Sequence, residues 1–600
     1  MPNGGSLMPT SRTSRTDLLH SVIFVIVGLC ILQGVDPATH SYVVPKWIGV
    51  AAATALILVV ALVSVWLNRE IRLDRVDGIV AVFAIFAAGS LIWSDDPAGG
   101  AAHLGGLIAA LIVFCYARRC DCRKLGFRMA LLCLLATGIS LMWAAILPEY
   151  QGGFGNENRF AHALLLMMPY LALWVSLRQS PDRWLGPGLA FCAVVYLVAV
   201  NDSHAEYLVV VLLVLVVLLR KLFNYRRSFC VATGFLVAAG GVAVAWVLRE
   251  HLLHVAPVEI RLEIGLNTIA VWLDQPVLGT GIGGFDFHYP THQQTHLSWY
   301  PGFGDTVALR SSVVMDAAHN EPLQFLAEFG IAGFLLAALA ALTVRRNVTP
   351  MACMTLVSRM AVLCLAIVAV ISLFDFPLRT PATVSLAAVS LGLVVRFLPE
   401  VQAQSFVLGS RRLMVVTMLL VLGGLTASAA IPSLYLANRH NFTAIAITDV
   451  SPQHGYVQAI RSYKRFPLSP DYRRQLGVSY LRWLTSGVQR DIARAQDHGR
   501  IFRIGQSASA EQPGVLIVRI ETLLLLGLTP AARKEIDSHL QTLKRVAPYL
   551  VDTHLIEATY ANAIGDRERA QRALDRAGDV RSYTRTPQVV VSAARRRLGF

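Results

Sequence analysis

Long apolar stretches recur through most of this chain and constrain its fold more than any other feature. About 20 consecutive apolar residues let an α-helix cross the hydrocarbon core of a bilayer, and by this measure the sequence predicts about thirteen spans. The composition agrees, because 55% of the residues are hydrophobic and 15% are charged, outside the range of soluble domains. We therefore expect an all-α polytopic membrane protein. The predicted spans centre near Phe24, Thr54, Phe83, Leu107, Leu134, Leu166, Val194, Leu212, Val237, Leu335, Ile367, Ala387 and Val421.

Arginine and lysine gather in alternate loops, which predicts the orientation. By the positive-inside rule the basic loops and the N-terminus are cytoplasmic. The net charge of +15 therefore needs no nucleic-acid partner. The first span lacks a convincing cleavage site and reads as an uncleaved anchor. With an odd number of spans, the chain after Leu434 lies outside, as does the loop from Arg249 to Asn320.

Five regions follow from the spans. They are a cytoplasmic tail (1–16), the first nine spans (17–248), a large external loop (249–320), the last four spans (321–434) and an external helical region (435–600). In the last region, similar segments carry Gly527 and Gly565, which are 38 residues apart. This spacing is close to the ~34-residue period of tetratricopeptide helix pairs. An unrelated helical bundle is the alternative.

A cluster of polar residues marks the junction between the external loop and the next span. His319, Asn320 and Glu321 lie where that span begins. Ionisable groups are costly at membrane depth, so such a cluster indicates binding or proton transfer. The simpler interpretation, strongest for Asn320 or Glu321 alone, is a polar cap on a helix.

The external loop holds a second concentration of unusual residues. Glycines between Gly279 and Gly284 allow tight turns and close approach of the backbone to a ligand, although no βαβ pattern supports a nucleotide site. His288, His292 and His296 have the spacing of a helical metal site. Pro290 breaks that helix, so sugar stacking or loop filling is favoured over a metal. Cys120 and Cys122 lack further ligands nearby.

A third polar segment, 152–162, precedes the predicted span near Leu166. Its glycines and asparagines suit a turn whose side chains offer hydrogen bonds. An ordinary loop is the alternative.

Taken together, these segments resemble the O-antigen ligase and O-antigen polymerase superfamily. The resemblance covers about residues 152–393, with the motifs in the family's order on one predicted face. The motifs are Phe154-Gly155-Asn156-x-Asn158-x-x-Ala161; Arg261 followed by Asp274-x-Pro276-x-x-Gly279-x-Gly281-x-Gly283-x-Phe285; Ala318-His319-Asn320-x-x-Leu323-Gln324-x-Leu326-x-Glu328-x-Gly330; and Asp375-Phe376-Pro377-Leu378-x-x-Pro381.

The chain departs from the family's pattern at two positions. His204 stands where members usually have arginine, and imidazole is cationic only part of the time at neutral pH. Ile371 stands where exopolysaccharide-type members often have histidine.

The resemblance implies an enzyme that transfers a glycan from undecaprenyl diphosphate to an acceptor sugar hydroxyl. The outside is then the periplasm of a bacterium, and the chain lies in the inner membrane with a periplasmic C-terminus. His319 would act as the base, and Arg261 would stabilise the departing diphosphate. No metal or other cofactor is implied, and direct displacement would invert the anomeric carbon. The predicted substrate-binding residues are Asn156, Asn158, Arg159, His204, Asn320, Glu321, Gly281, Gly283 and Asp375.

Several functions remain open at this point. The late motif resembles exopolysaccharide polymerases more than lipopolysaccharide ligases, so polymerisation of repeat units is favoured. Transfer to lipid A-core or to a protein hydroxyl would use the same chemistry. A transporter should show charges within its helices, and a scaffold would leave the polar loops unexplained. The C-terminal repeats would suit a chain-length regulator or an export protein.

Overall fold

Helices make up nearly all of the described chain. The computed structural model describes residues 15–33, 44–146, 156–178, 180–199, 256–293, 317–347, 354–395, 404–407, 409–448, 450–465, 475–480, 513–548, 550–579 and 586–600. The helices of the apolar part are α1 (Arg15–Gln33), α2 (Val44–Asn68), α3 (Arg75–Gly89), α4 (Pro97–Arg119), α5 (Cys122–Ile146), α6 (Glu157–Leu177), α7 (Leu185–Ala199), α8 (Ala256–Asp274), α9 (Phe285–His292), α10 (Glu321–Asn347), α11 (Leu356–Ile371), α12 (Pro381–Val394) and α13 (Ser410–Thr448).

The structure confirms that the chain has apolar helices long enough to cross a membrane. It does not confirm the predicted number of spans. Five helical segments in the described residues are long and apolar enough to cross a membrane: Lys46–Asn68, Arg75–Ile92, Cys122–Ile146, Glu157–Leu177 and Glu321–Arg345. Shorter apolar helices cover Ser21–Gln33, Leu356–Ile371 and Pro381–Val394. Helices also occur at the predicted centres near Leu107, Val194 and Val421. The predicted spans near Leu212 and Val237 lie outside the described residues.

Helix α6 forms the centre of the apolar core. Its side chains from Phe160 to Leu173 are nearly all buried, packed against α5, α11 and α12. The hydroxyls of Tyr170 and Ser390 are 2.7 Å apart, which pairs a polar group of α6 with one of α12. The core therefore fixes α6 relative to the segment between α11 and α12, where the candidate site lies.

A two-stranded sheet corrects the expectation of a purely helical chain. Strand β1 (Glu70–Leu73) follows α2 and pairs in antiparallel register with β2 (Gln404–Val407), which precedes α13. These two connections run side by side, and their backbone groups need partners. The sheet therefore ties the end of α2 to the beginning of α13.

Asp74, the residue directly after strand β1, takes part in a buried ion pair. Arg118, which with Arg119, Arg123 and Lys124 forms one of the basic segments that predict a cytoplasmic loop, has no exposed side-chain surface and pairs with Asp74 and Asp77. Its Nε also donates to the carbonyl of Val395 at 3.0 Å. Arg118 therefore links α4, α3 and the end of α12, rather than only marking the orientation of a loop.

Helix α10 is broken at Gly330, where φ is 61° and ψ is −166°. The N–H groups of Ile331 and Ala332 donate to the carbonyls of Pro276 and Val277 at 2.9 and 3.0 Å. The backbone carbonyls before the break also have partners, because Thr280 N–H and Gly281 N–H donate to the carbonyls of Ala327 and Glu328. The glycine-rich loop is therefore bonded into the gap in the helix.

The C-terminal region is helical, as predicted. It contains α14 (Pro452–Arg465), α15 (Pro513–Leu526), α16 (Pro530–Val546), α17 (Val551–Ala563), α18 (Arg567–Asp579) and α19 (Thr586–Leu598). Gly527 and Gly565 adopt positive φ angles of 108° and 82°, between α15 and α16 and between α17 and α18. Each of the two helix pairs thus turns at a glycine with a positive φ angle. A tetratricopeptide fold stays a prediction. Helix α13 runs across the predicted boundary at residue 434.

Candidate functional site

A buried carboxylate is the centre of the candidate site. Asp375 lies between α11 and α12 and is 0% exposed. Its Oδ1 is 3.1 Å from Nδ1 of His319. Its Oδ2 accepts a hydrogen bond from Nδ2 of Asn158 at 3.4 Å and is 3.6 Å from Nε2 of His162. The nearest guanidinium nitrogen of Arg261 is 3.8 Å from the same oxygen. Four separate segments therefore meet at one carboxyl group.

The local backbone explains how these side chains reach Asp375. Asn158 and His162 are four residues apart on α6, so both lie on one face of that helix. His319 precedes α10 with a φ of 49°, a left-handed conformation that costs a non-glycine residue roughly 1–2 kcal/mol. The ring of Phe376 meets the imidazole edge to face at 4.8 Å. The surrounding contacts therefore hold His319 in a backbone conformation that is unfavourable by itself.

Asp375 remains ionised despite its burial. Burial raises the pKa of this carboxyl group, but the hydrogen bond from His319 and the electrostatic effects of His162, His319 and Arg261 lower it by a larger amount. The net pKa lies below the ordinary value. Asp375 is thus a carboxylate at neutral pH and can accept a hydrogen bond from a protonated imidazole nitrogen.

Asn320 and Glu321 connect the beginning of α10 to the segment that carries Asp375. Asn320 caps α10 by accepting the N–H of Leu323 at 2.9 Å, and its amide donates to the carbonyl of Leu373. Glu321 accepts the N–H of Leu378 at 3.0 Å. These contacts match the capping interpretation, and they also position His319 beside Asp375.

Asn156 and Arg159 lie at the beginning of α6. Asn156 caps the helix by accepting the N–H of Arg159 at 3.1 Å. Nε of Arg159 is buried and has no hydrogen-bond partner among the described residues. Arg159 therefore stays a candidate for an anionic ligand, while the contacts of Asn156 are those of a cap.

Gly281 and Gly283 bond to α10 rather than to the Asp375 cluster. Their φ angles are 85° and 71°. Gly281 N–H donates to the backbone carbonyl of Glu328, and Gly283 N–H donates to its Oε2 at 3.0 Å. A side chain at Gly283 would collide with His103 and Gly100. The contacts of these glycines are structural, and their predicted role in substrate binding stays a prediction.

Glu328 belongs to a second buried charged cluster, in which two residues of a family motif meet Arg379. Its Oε1 is 2.7 Å from a guanidinium nitrogen of Arg379 and accepts the amide of Gln324 at 2.9 Å. The other end of Gln324 accepts the N–H of Ala318, next to His319. Burial, followed by the charges of neighbouring carboxylates, raises the pKa of nearby Asp286 to about 7. Gln324 and Glu328 are motif residues, whereas Arg379, four residues beyond Asp375, was not singled out in the sequence.

His288 and His292 pair with acids instead of converging on one point. Nε2 of His288 is 3.0 Å from Asp95, and Nε2 of His292 is 2.8 Å from Asp274. Within the described ranges, no group of three or more His, Cys, Asp or Glu residues has the geometry of a metal site. His296 and His204 lie outside the described residues.

His162 is the member of the Asp375 cluster that was not predicted. It is buried in an apolar helix, 1% exposed, where a histidine usually belongs to the core. The available signal was its position one helical turn beyond Asn158. His162 places a second imidazole on the carboxylate that holds His319.

Comparison with protein families supports the resemblance seen in the motifs. Residues 188–338 match the family model described as O-Antigen ligase. The match includes Arg261 and His319. Asn158, His162 and Asp375 lie outside the matched region, but the fold places them in one cluster with these two residues. No curated protein and no solved structure matched the chain. The chain is thus a membrane protein in which residues 188–338 match the O-antigen ligase family of glycosyltransferases.

Proposed function

We propose that this protein polymerises polysaccharide repeat units by transferring a glycan from a polyprenyl-diphosphate donor to an acceptor sugar hydroxyl. The observation that carries the proposal is the hydrogen-bonded pair of His319 and Asp375, with Arg261 beside it. His319 and Arg261 lie within the region that matches the family. Lipid-linked glycan transfer is the chemistry of that family, and the three side chains supply a base, its orienting carboxylate and a cation.

His319 is the base in this proposal. Ionised Asp375 accepts Nδ1–H at 3.1 Å, which leaves Nε2 with the lone pair. Nε2 takes the proton of the acceptor hydroxyl as its oxygen bonds to the anomeric carbon of the donor. The bond from that carbon to the diphosphate oxygen breaks, and its electron pair leaves with the diphosphate. A single displacement of this kind inverts the anomeric configuration. The side chain of His319 is 21% exposed, so an acceptor can reach it.

Arg261 stabilises the diphosphate as its charge grows. Its 3.8 Å separation from Asp375 is too long for a hydrogen bond, so the attraction between them is only Coulombic. The guanidinium has five donors in a planar fork that matches phosphate oxygens. With 28% of the side chain exposed, those donors are accessible to a ligand. Arg159, at the beginning of α6, is the second candidate for phosphate contact.

Polymerisation is favoured over transfer to lipid A-core by the form of the late motif, Asp375-Phe376-Pro377-Leu378, and by the C-terminal region. One hydrogen bond joins that region to the external loop: Thr291 on α9 donates to the carbonyl of Val546 on α16 at 3.0 Å. A helical module attached to this loop suits the holding of a growing chain or of an export partner.

Deletion of the gene is expected to leave lipid-linked single repeat units and no long polymer. Loss of a ligase would instead accumulate long polymer on the lipid carrier and leave its acceptor lipid bare. Gel analysis of the lipid-linked pool separates these outcomes. Long lipid-linked chains in the deletion strain would reject polymerisation and favour ligation.

The same proposal includes about thirteen spans and an external C-terminus, on the grounds of the charge pattern. A reporter active only outside the cytoplasm is expected to work after Phe600 and within residues 249–320. It should be silent after Arg226. A cytoplasmic reporter fused at the same positions provides the complementary control. Cytoplasmic signal at Phe600 would contradict the orientation and remove the C-terminal helices from the side of transfer.

A further inference from the structure

A basic cavity lies where α13 meets α14, away from the Asp375 cluster. Its lining consists of His440, Arg461, Lys464 and Arg465, around about 460 Å³. Nδ1 of His440 is 2.8 Å from Oε1 of Gln458 on the facing helix, which holds the imidazole in place. A cavity lined by arginine and lysine side chains favours an anionic ligand.

The level of this cavity relative to the membrane follows from helix geometry. The β1–β2 sheet ties Asn68, at the end of α2, to the beginning of α13, and α2 packs along α13. The apolar span of α2 is Lys46–Asn68. At 1.5 Å per residue, the level of Lys46 is reached at about Pro432 on α13. His440 is then about 12 Å farther along the axis.

Helix α14 runs back toward the level of Pro432 on α13. The hydroxyl of Ser462 donates to the carbonyl of Ala437 at 2.8 Å, so Ser462 is about 8 Å above Pro432. Three residues later, Arg465 is roughly 3 Å above it. The headgroup layer occupies about 5–8 Å on each side of the hydrocarbon core. The basic end of α14 therefore lies within the layer of lipid phosphates.

We propose that His440, Arg461, Lys464 and Arg465 bind the phosphate headgroup of an anionic membrane phospholipid. The cavity supplies charges of the right sign, and its membrane-facing end, Lys464 and Arg465, is at the height of the headgroups. The continuous α13 joins these helices to the membrane. The bound lipid fixes α14, and with it the beginning of the C-terminal region, against the bilayer. The site is separate from the transfer chemistry and does not depend on it.

The test uses the full-length protein, delipidated in detergent and titrated with phosphatidylglycerol or phosphatidylcholine in native mass spectrometry. The variant is Arg461→Gln/Lys464→Gln/Arg465→Gln. Each basic residue near an anionic surface contributes about fivefold to affinity, so the triple variant should bind phosphatidylglycerol on the order of 10²-fold more weakly. Phosphatidylcholine binding should change little. The control, matched in charge, is Arg533→Gln/Lys534→Gln/Arg597→Gln, and it should retain the wild-type affinity.

The same titration distinguishes a phospholipid from the phosphates of the donor. Farnesyl diphosphate, a short polyprenyl diphosphate, should bind the triple variant and the wild type equally. If the triple variant loses farnesyl diphosphate but keeps phosphatidylglycerol, the cavity is a donor site and the proposal is wrong. Wild-type affinity of the triple variant for phosphatidylglycerol, or an equal loss in the control, would also overturn it.

Discussion

Replacement of His319 by asparagine is expected to reduce glycan transfer by a factor on the order of 10²–10⁴, the usual contribution of a positioned acid or base. Asparagine is the informative substitution because it tolerates the left-handed region better than most residues, and φ here is 49°. The variant therefore removes the base with little added backbone strain. Transfer is measured as polymer formed from lipid-linked repeat units in membranes that contain equal amounts of each protein.

The matched control is His292→Asn. His292 is also a histidine paired with a carboxylate, Asp274, at 2.8 Å, but it lies outside the Asp375 cluster. It should keep most of the activity. Near wild-type transfer by His319→Asn at normal abundance would exclude His319 as the base.

Replacement of Arg261 by alanine should reduce transfer by about 10²–10³, as expected when a preorganised charge stabiliser is lost. Lysine at this position should recover only part of the activity, since an ammonium group cannot make the bidentate contact of a guanidinium. The assay is the one used for His319. Comparing the two variants separates the need for charge from the need for the planar fork.

Arg533→Ala provides the comparison for the Arg261 variants, because Arg533 is exposed on α16. It should leave transfer unchanged. Full activity of Arg261→Ala would remove Arg261 from the mechanism. Full activity of Arg261→Lys would show that charge alone suffices.

The members of the candidate site were found in two ways. His319 stands out from its neighbours as an ionisable residue at the beginning of a span, whereas Arg261, Asp375 and Asn158 were found through the motifs of the family that the chain resembles. His162 was not found, since a histidine inside an apolar helix usually belongs to the core and its position one turn beyond Asn158 is a weak signal. Its contact with Asp375, across the fold, identifies it.

The parts of the fold that were missed depend on contacts between distant segments. Strands β1 and β2 are four residues each and more than three hundred residues apart, so neither produces a pattern by itself. The described residues contain fewer full-length spans than predicted, and helix length is the reason. Helix α12 has 14 residues, about 21 Å, which is shorter than the ~30 Å hydrocarbon core. Apolar character alone cannot tell such a helix from a full span.

The break in α10 determines the order in which this part of the protein can be assembled. Ile331 and Ala332 have N–H groups that pair with Pro276 and Val277. Left unpaired within a bilayer, each such group costs several kcal/mol. The partners are synthesised first, so the glycine-rich loop is already available when α10 emerges from the ribosome. We therefore expect damage to this loop to lower the amount of correctly inserted protein as well as its activity.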